Sequence, residues 1–275
     1  MHSYARPSAL EDALRLINSG GQRLLAGGTD MYPGSGSQLA GNLVDLTGVA
    51  ALRGISLGAG LRIGGCSTWT DIANADLPGA LTALQMAARA VGGRQVQNVG
   101  TLAGNLCNAS PAADGVPPLL VCDAVVNLAS VRGQRQVTLA DFITGPRQTV
   151  LAADEVLVAV DIPASGLLGR SVFLKLGARA YLVISIAMVA VRLVTDGNRV
   201  GEISVAVGAC SGVAQRLPDV ERALIGAELR HAAGLVRAAD VMASLKSIAD
   251  VRSSAEYRAE AATELVARAV AQVAA

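Results

Sequence analysis

The sequence predicts an α+β protein in two unequal parts, and three observations carry that expectation. Short apolar strands alternate with helical stretches and glycine turns over the first part. A run of small and glycine residues, Ala164-Ser165-Gly166-Leu167-Leu168-Gly169, breaks both periodicities after Pro163. Beyond it, three apolar strands precede a helical end. A chain of 275 residues suits one full domain and a smaller one, here 1–165 and 166–275.

The elements follow in order. Ser8-Ala9-Leu10-Glu11 fits a capping box, in which each side chain satisfies a backbone N–H at a helix start. Leu10, Ala13, Leu14 and Ile17 then share one face, and Gly20-Gly21 supplies the stop. A strand over 23–26 runs into Gly27-Gly28-Thr29-Asp30. Further strands are expected at 43–46 and 61–64, helices at 68–74 and 80–91, then a glycine-rich stretch over 92–104 and strands at 124–131 and 156–162. After the break, 172–176, 183–193 and 203–207 read as an antiparallel meander, with Asp196-Gly197 turning between the second and third. From Pro218 the pattern is helical. Ser253-Ser254-Ala255-Glu256 offers another capping box, followed by Tyr257, Ala261, Leu265 and Val270 on one face.

Composition narrows the function. Hydrophobic residues make up 52% and charged residues 16%, which excludes a disordered chain. The 23 basic and 22 acidic residues are scattered, without the basic stripe that follows a phosphate backbone, so nucleic acid is not an expected partner. The longest apolar run, 182–191, falls short of the ~20 residues that span a bilayer and suits a buried strand. Met1-His2-Ser3-Tyr4-Ala5-Arg6-Pro7 lacks a secretory signal, so the expected location is cytoplasmic. Cys66, Cys107, Cys122 and Cys210 form no C-x-x-C pair, and no metal site is expected. With His2 and His231 the only histidines, a Ser-His-Asp device is not supported. Gly34-Ser35-Gly36 and Gly58-Ala59-Gly60 lack the third glycine of a Rossmann fingerprint.

Two segments pair glycine with a hydroxyl: Ala26-Gly27-Gly28-Thr29-Asp30 and Gly100-Thr101-Leu102-Ala103-Gly104-Asn105. Consecutive N–H groups with threonine hydroxyls suit an anion such as a diphosphate. Either loop alone reads equally as an ordinary turn. The stretch from Val91 to Asp114, including Asn108-Ala109-Ser110-Pro111-Ala112-Ala113-Asp114, resembles the flavin-binding subunit of the xanthine dehydrogenase and carbon monoxide dehydrogenase family. The early Ala-Gly-Gly-Thr-Asp loop, Leu119-Leu120-Val121-Cys122-Asp123-Ala124, Asp154-Glu155-Val156-Leu157 before Ile162-Pro163, and Phe173-Leu174-Lys175 extend the resemblance over nearly the whole chain.

That resemblance implies a two-lobed FAD-binding domain of the vanillyl-alcohol-oxidase (PCMH) type, then a three-stranded antiparallel sheet with a helical bundle. It implies that Leu25, Ala26, Gly27, Gly28, Thr29 and Asp30, with Thr101, Leu102, Ala103, Gly104 and Asn105, line the FAD diphosphate. Asp114 would bond a hydroxyl of the cofactor's sugar or ribityl part, Leu157 would pack near its rings, Lys175 would bond the flavin region, and Tyr181 would cover the isoalloxazine. Ala103 departs from the family's Gly-Gly. On the residues alone, Asp114 also reads as a turn residue, Lys175 as an edge lysine, Tyr181 as core, and Arg94-Gln95-Val96-Gln97-Asn98 as either a loop support or a partner contact. The implied function is an oxidoreductase subunit that carries FAD and passes electrons from a 2Fe-2S small subunit to an external acceptor. Substrate oxidation would fall to a large subunit bearing the molybdenum cofactor, in a heterotrimer or its dimer. A self-sufficient flavin oxidoreductase and a flavin-free scaffold stand as alternatives.

Overall fold

A computed structural model describes residues 3–36 and 39–275; His2 and the other residues at 1, 37 and 38 lie outside the described part. Strand β1 (Tyr4–Ala5), helix α1 (Leu10–Asn18), β2 (Gln22–Leu25) and β3 (Asn42–Asp45) make a small lobe whose sheet, ordered β1-β3-β2, is parallel. The expected stripe of α1 buries Ala13, Leu14 and Ile17, each such aliphatic contributing roughly 1.5–3 kcal/mol when fully buried. Ser8 does not cap it: the helix begins one residue beyond the capping-box register, after Ala9, which makes no side-chain bond.

The second lobe runs through β4 (Ile55–Leu57), β5 (Leu61–Gly64), α2 (Trp69–Asn74), α3 (Thr82–Ala90), α4 (Arg94–Val99), α5 (Leu102–Asn108) and α6 (Val116–Leu120). It continues through β6 (Val125–Ser130), β7 (Gly133–Thr138), α7 (Leu139–Phe142), the hairpin β8 (Ile143–Gly145) and β9 (Gln148–Thr149), and β10 (Val156–Ile162). Its antiparallel sheet has the order β4-β5-β10-β6-β7. The glycine-rich stretch over 92–104 therefore holds all of α4 and the start of α5, helices of six and seven residues that are too short to show a period between glycines.

The last part is the expected meander, β11 (Arg170–Leu176), β12 (Ala187–Asp196) and β13 (Arg199–Gly208), extended by the two-residue β14 (Gln215–Arg216). Helices α8 (Pro218–Leu224), α9 (Leu229–Ala232), α10 (Ala238–Met242) and α11 (Ala255–Ala274) follow. Strand β12 explains the long apolar run. Met188 and Ala190 face the core of the second-lobe sheet and its helices, while Val189 and Val191 face the core built on α11. A strand covered on both sides reads as continuously apolar.

Three expectations shift here. Residues 183–186 lie before β12 rather than in it: the register with β11 ends at Leu176 opposite Ala187, and the chain turns at Leu182, φ +52°. Helix α11 is capped by Ser254, which accepts from Tyr257 N–H (3.2 Å), one residue later than Ser253. Its buried stripe is accordingly Arg258, Ala262, Val266, Ala269, Val270 and Val273, with Tyr257 exposed. Residues 164–169 form a packed turn: Gly166 is buried, and a Cβ there would lie 2.2 Å from Cys122 O. Among the described residues, no helix is long and apolar enough to cross a membrane.

Candidate functional site: a cleft framed by two glycine loops

A cleft of about 990 Å3 opens between the two lobes and the segment before β12. Leu25, Ala26, Gly27, Gly28, Thr29 and Asp30 line it from the turn after β2. Thr101, Ala103, Gly104 and Asn105 line it from α5, with Asp114 from the following turn and Leu157 from β10. Leu102 faces the other way, fully buried in the core. Lys175 and Tyr181 do not line the cleft, and Tyr181 is 82% exposed, whereas its neighbours Leu182, Val183 and Ile184 do line it.

The two loops meet. Gly27 lies so close to the end of α4 that a Cβ would sit 2.0 Å from Val99 O and 2.8 Å from Gly100 Cα. Gly28 turns the chain with φ +69°, a conformation open to glycine. Among the described residues no protein acceptor takes the backbone N–H groups of Gly27, Gly28, Thr29 or Asp30, or the Thr29 hydroxyl. Four N–H groups without a protein acceptor in one turn are the kind of donors an anion takes.

The second loop differs from the expectation of a matching nest. Three of its N–H groups are already used: Leu102 donates to Ser67 O (3.0 Å), Ala103 to Gly65 O (2.9 Å) and Gly104 to Thr101 Oγ1 (3.1 Å). The cause is the fold of this segment, which lies across the β5–α2 turn and starts a helix capped by Thr101. Thr101 accepts in that cap, so its own O–H remains a donor. The Ala103 methyl is seated opposite Gly65, where the missing side chain leaves room. Trp69, which the sequence reading did not single out, is the buried post beneath: its N–H donates to Gly100 O (3.1 Å) and its ring abuts Gly115. Gln97 and Asn98 support the loop, through Arg89 O and Val91 O and through the Thr70 hydroxyl, while Arg94 and Gln95 are exposed.

The cleft's buried carboxylates are both paired. Asp114 accepts from Lys175 Nζ on Oδ2 (2.6 Å) and from Ser185 Oγ on Oδ1 (2.6 Å). Lys175 also donates to Ala90 O (3.2 Å). Burial pushes the Asp114 carboxyl above its ordinary value, opposed by the Lys175 charge and both hydrogen bonds. Glu155 receives Arg135 through two bonds of 2.7 Å and the Ala152 N–H at 2.9 Å, which clamps the cleft-lining turn 151–155. The Arg135 bonds hold the Glu155 carboxyl below the usual range against its desolvation. The depressed value fixes the sign: this pairing stabilises the fold above pH ~4.3 and is lost as pH falls through the lowered value. Glu155→Gln is expected to lose about 1 kcal/mol at pH 7, kept small by the exposure of Arg135. In urea melts the gap from the parent should close below pH ~4; a gap that persists there means the pair is not the cause.

Neither carboxylate is free to act as a base, and among the described residues no histidine lines the cleft; His231 is exposed on α9. Cys107 lines the cleft, but burial pushes its thiol up to about 12, so it stays protonated. Arg147, held at φ +61° in the β8–β9 turn, places its guanidinium on Asn108 O (3.1 Å) at the end of α5. The cleft thus combines a turn of N–H groups without protein acceptors, two paired carboxylates and a protonated thiol.

Known proteins agree. The family described as the FAD binding domain in molybdopterin dehydrogenase matches residues 1–165, and the CO dehydrogenase flavoprotein C-terminal domain matches 173–273. The nicotine 6-hydroxylase medium subunit of Paenarthrobacter nicotinovorans is 33% identical over 97% of this chain and 95% of its own length. The xanthine dehydrogenase FAD-binding subunit of Escherichia coli O157:H7 is 32% identical over 93% of this chain and 90% of its own. In structure, reconstituted CO dehydrogenase from Oligotropha carboxidovorans superposes with a TM-score of 0.91 at 26% identity, covering 100% of this chain and 98% of that one. This chain therefore belongs to the FAD-binding subunits of the molybdenum hydroxylases, the xanthine and carbon monoxide dehydrogenase family.

Proposed function

We propose that this chain holds FAD in the cleft and relays electrons from a 2Fe-2S partner subunit to an external acceptor. The observation that carries this reading is the turn of four free N–H groups at Gly27, Gly28, Thr29 and Asp30 beside a cleft of about 990 Å3. Those groups, with the Thr29 and Thr101 hydroxyls, take the diphosphate; Leu25, Ala26, Ala103, Gly104 and Asn105 form its walls. Asp114 accepts from a cofactor hydroxyl, and Leu157 packs near the rings. Lys175 contributes through Asp114, and Tyr181 stands on the exposed segment beside the cleft mouth. Residues 1–165 form the FAD-holding domain and 166–275 its cover. Bound there, FAD supplies one- and two-electron transfer, while the protein sets its position and access.

Substrate oxidation then falls to a molybdenum-cofactor large subunit, with a 2Fe-2S small subunit between, in a heterotrimer or its dimer. The paired state of both buried carboxylates favours this over a self-sufficient oxidoreductase, which needs a free base. Four free cysteines, three of them buried, suit assembly in the cytoplasm. The test is the visible absorption of the chain purified with its partners. Flavin bands equimolar with the chain, released as FAD, are expected; a colourless protein within an active complex would support the scaffold reading instead.

A further inference from the structure

We propose that Ser185 is a positioning residue of the cofactor site: it fixes the Asp114 carboxylate at the cleft and ties it to the wall formed by Leu182, Val183 and Ile184. The inference rests on the reading that the cleft takes FAD. Ser185 is 1% exposed and donates to Asp114 Oδ1 from 71 residues further along the chain, while Lys175 holds Oδ2. A carboxylate has about four acceptor positions. Two are taken here, one on each oxygen, so the group is fixed in rotation and still has acceptor capacity for a ligand hydroxyl.

The residue after Ser185 is anchored twice. Ile186 donates to Leu176 O (2.8 Å), and its carbonyl receives Arg258 Nη1 (2.6 Å). The residues before Ser185 are more open: Leu182 is 60% and Ile184 50% exposed although both line the cleft. One hydroxyl thus joins the fixed meander, the cleft wall and the carboxylate. Lys175 is the charged group facing Asp114, and it lies on β11, so both partners of the carboxylate come from the second part of the chain. Without the hydroxyl, the carboxylate keeps a single anchor and swings about Lys175, and its buried Oδ1 has no donor.

The test is FAD titration of the flavin-stripped full chain by fluorescence, for the parent, Ser185→Ala, Asp114→Ala and the double variant. Ser185→Ala is expected to weaken FAD about tenfold, the equivalent of one charge-assisted hydrogen bond. In the Asp114→Ala background the same change should cost less than about twofold, the mark of action through the carboxylate. The loss of affinity on acidification should also begin at higher pH in Ser185→Ala, because burial already pushes the carboxyl up and this hydroxyl opposes it. Ser185→Thr, which keeps the hydroxyl, should bind within about threefold of the parent. Unchanged affinity in Ser185→Ala, an equal loss in both backgrounds, or a threonine variant as weak as alanine overturns the proposal. A parent chain that takes up no FAD sinks the cofactor reading itself, before any variant is compared.

Discussion

Gly27→Ala is expected to lower FAD affinity about a hundredfold and to yield a nearly flavin-free protein. The added Cβ would lie 2.0 Å from Val99 O, 2.7 Å from Val99 C and 2.8 Å from Gly100 Cα. All three are backbone atoms, so no rotamer change relieves the clash, and the first loop must move by about 1 Å relative to the second. A shift of that size in a preorganised site costs on the order of 10²-fold. Gly28→Ala is the internal comparison. Its Cβ meets the ring of Tyr32, which is 56% exposed and free to swing, so the remaining cost is the left-handed backbone, about 1–2 kcal/mol. Flavin content per chain and FAD titration measure both. Equal effects of the two substitutions, or normal flavin content in Gly27→Ala, would show that the close approach of the loops is not what forms the site.

The second large effect belongs to Arg258. It is 1% exposed, yet it donates to Ile186 O (2.6 Å), Ala209 O (2.8 Å) and Asp250 Oδ1 (2.6 Å), so one side chain closes the ends of β12 and β13 onto α11. Removing it leaves the Ile186 and Ala209 carbonyls without this donor and the space of a buried side chain empty, whereas Asp250 keeps Arg252 (2.9 Å). Arg258→Ala is expected to cost about 3–5 kcal/mol and to lower the melting temperature by about 10 °C. Arg258→Lys retains the charge but not the fork, and should recover part of this loss. Calorimetry of the parent and both variants decides it: a shift in Arg258→Ala of only one or two degrees would mean that water replaces the guanidinium.

Arg258 also shows why some of the structure was hidden in the sequence. A charged residue at the head of α11 shifted the expected stripe onto Tyr257, Ala261 and Leu265, because pattern reading assigns arginine to solvent. The strands with clean period-2 or continuous apolar patterns, 61–64 and 156–162, were legible without ambiguity. Helices α4 and α5 were not, since glycine punctuates six- and seven-residue segments before any period accumulates. At the site, the turn after β2 was readable from Gly27 and Gly28. That the second loop would use its N–H groups internally was not, because Ser67 and Gly65 lie more than thirty residues earlier. Trp69 and Ser185 left no local signal: their importance depends on which distant backbone or carboxylate they meet.

Arg192 carries one more consequence. Its guanidinium, 4% exposed on β12, reaches Val121 O (2.7 Å) in the first part and Ser165 O and Leu168 O (3.3 Å each) in the connecting turn. With Met188 and Ala190 of the same strand completing the core on that side, neither half of the chain owns a full hydrophobic interior. The two sequence regions are thus joined through one interior: they are expected to melt as one cooperative unit, and a polypeptide ending at the turn would leave three carbonyls and an apolar sheet face open to water.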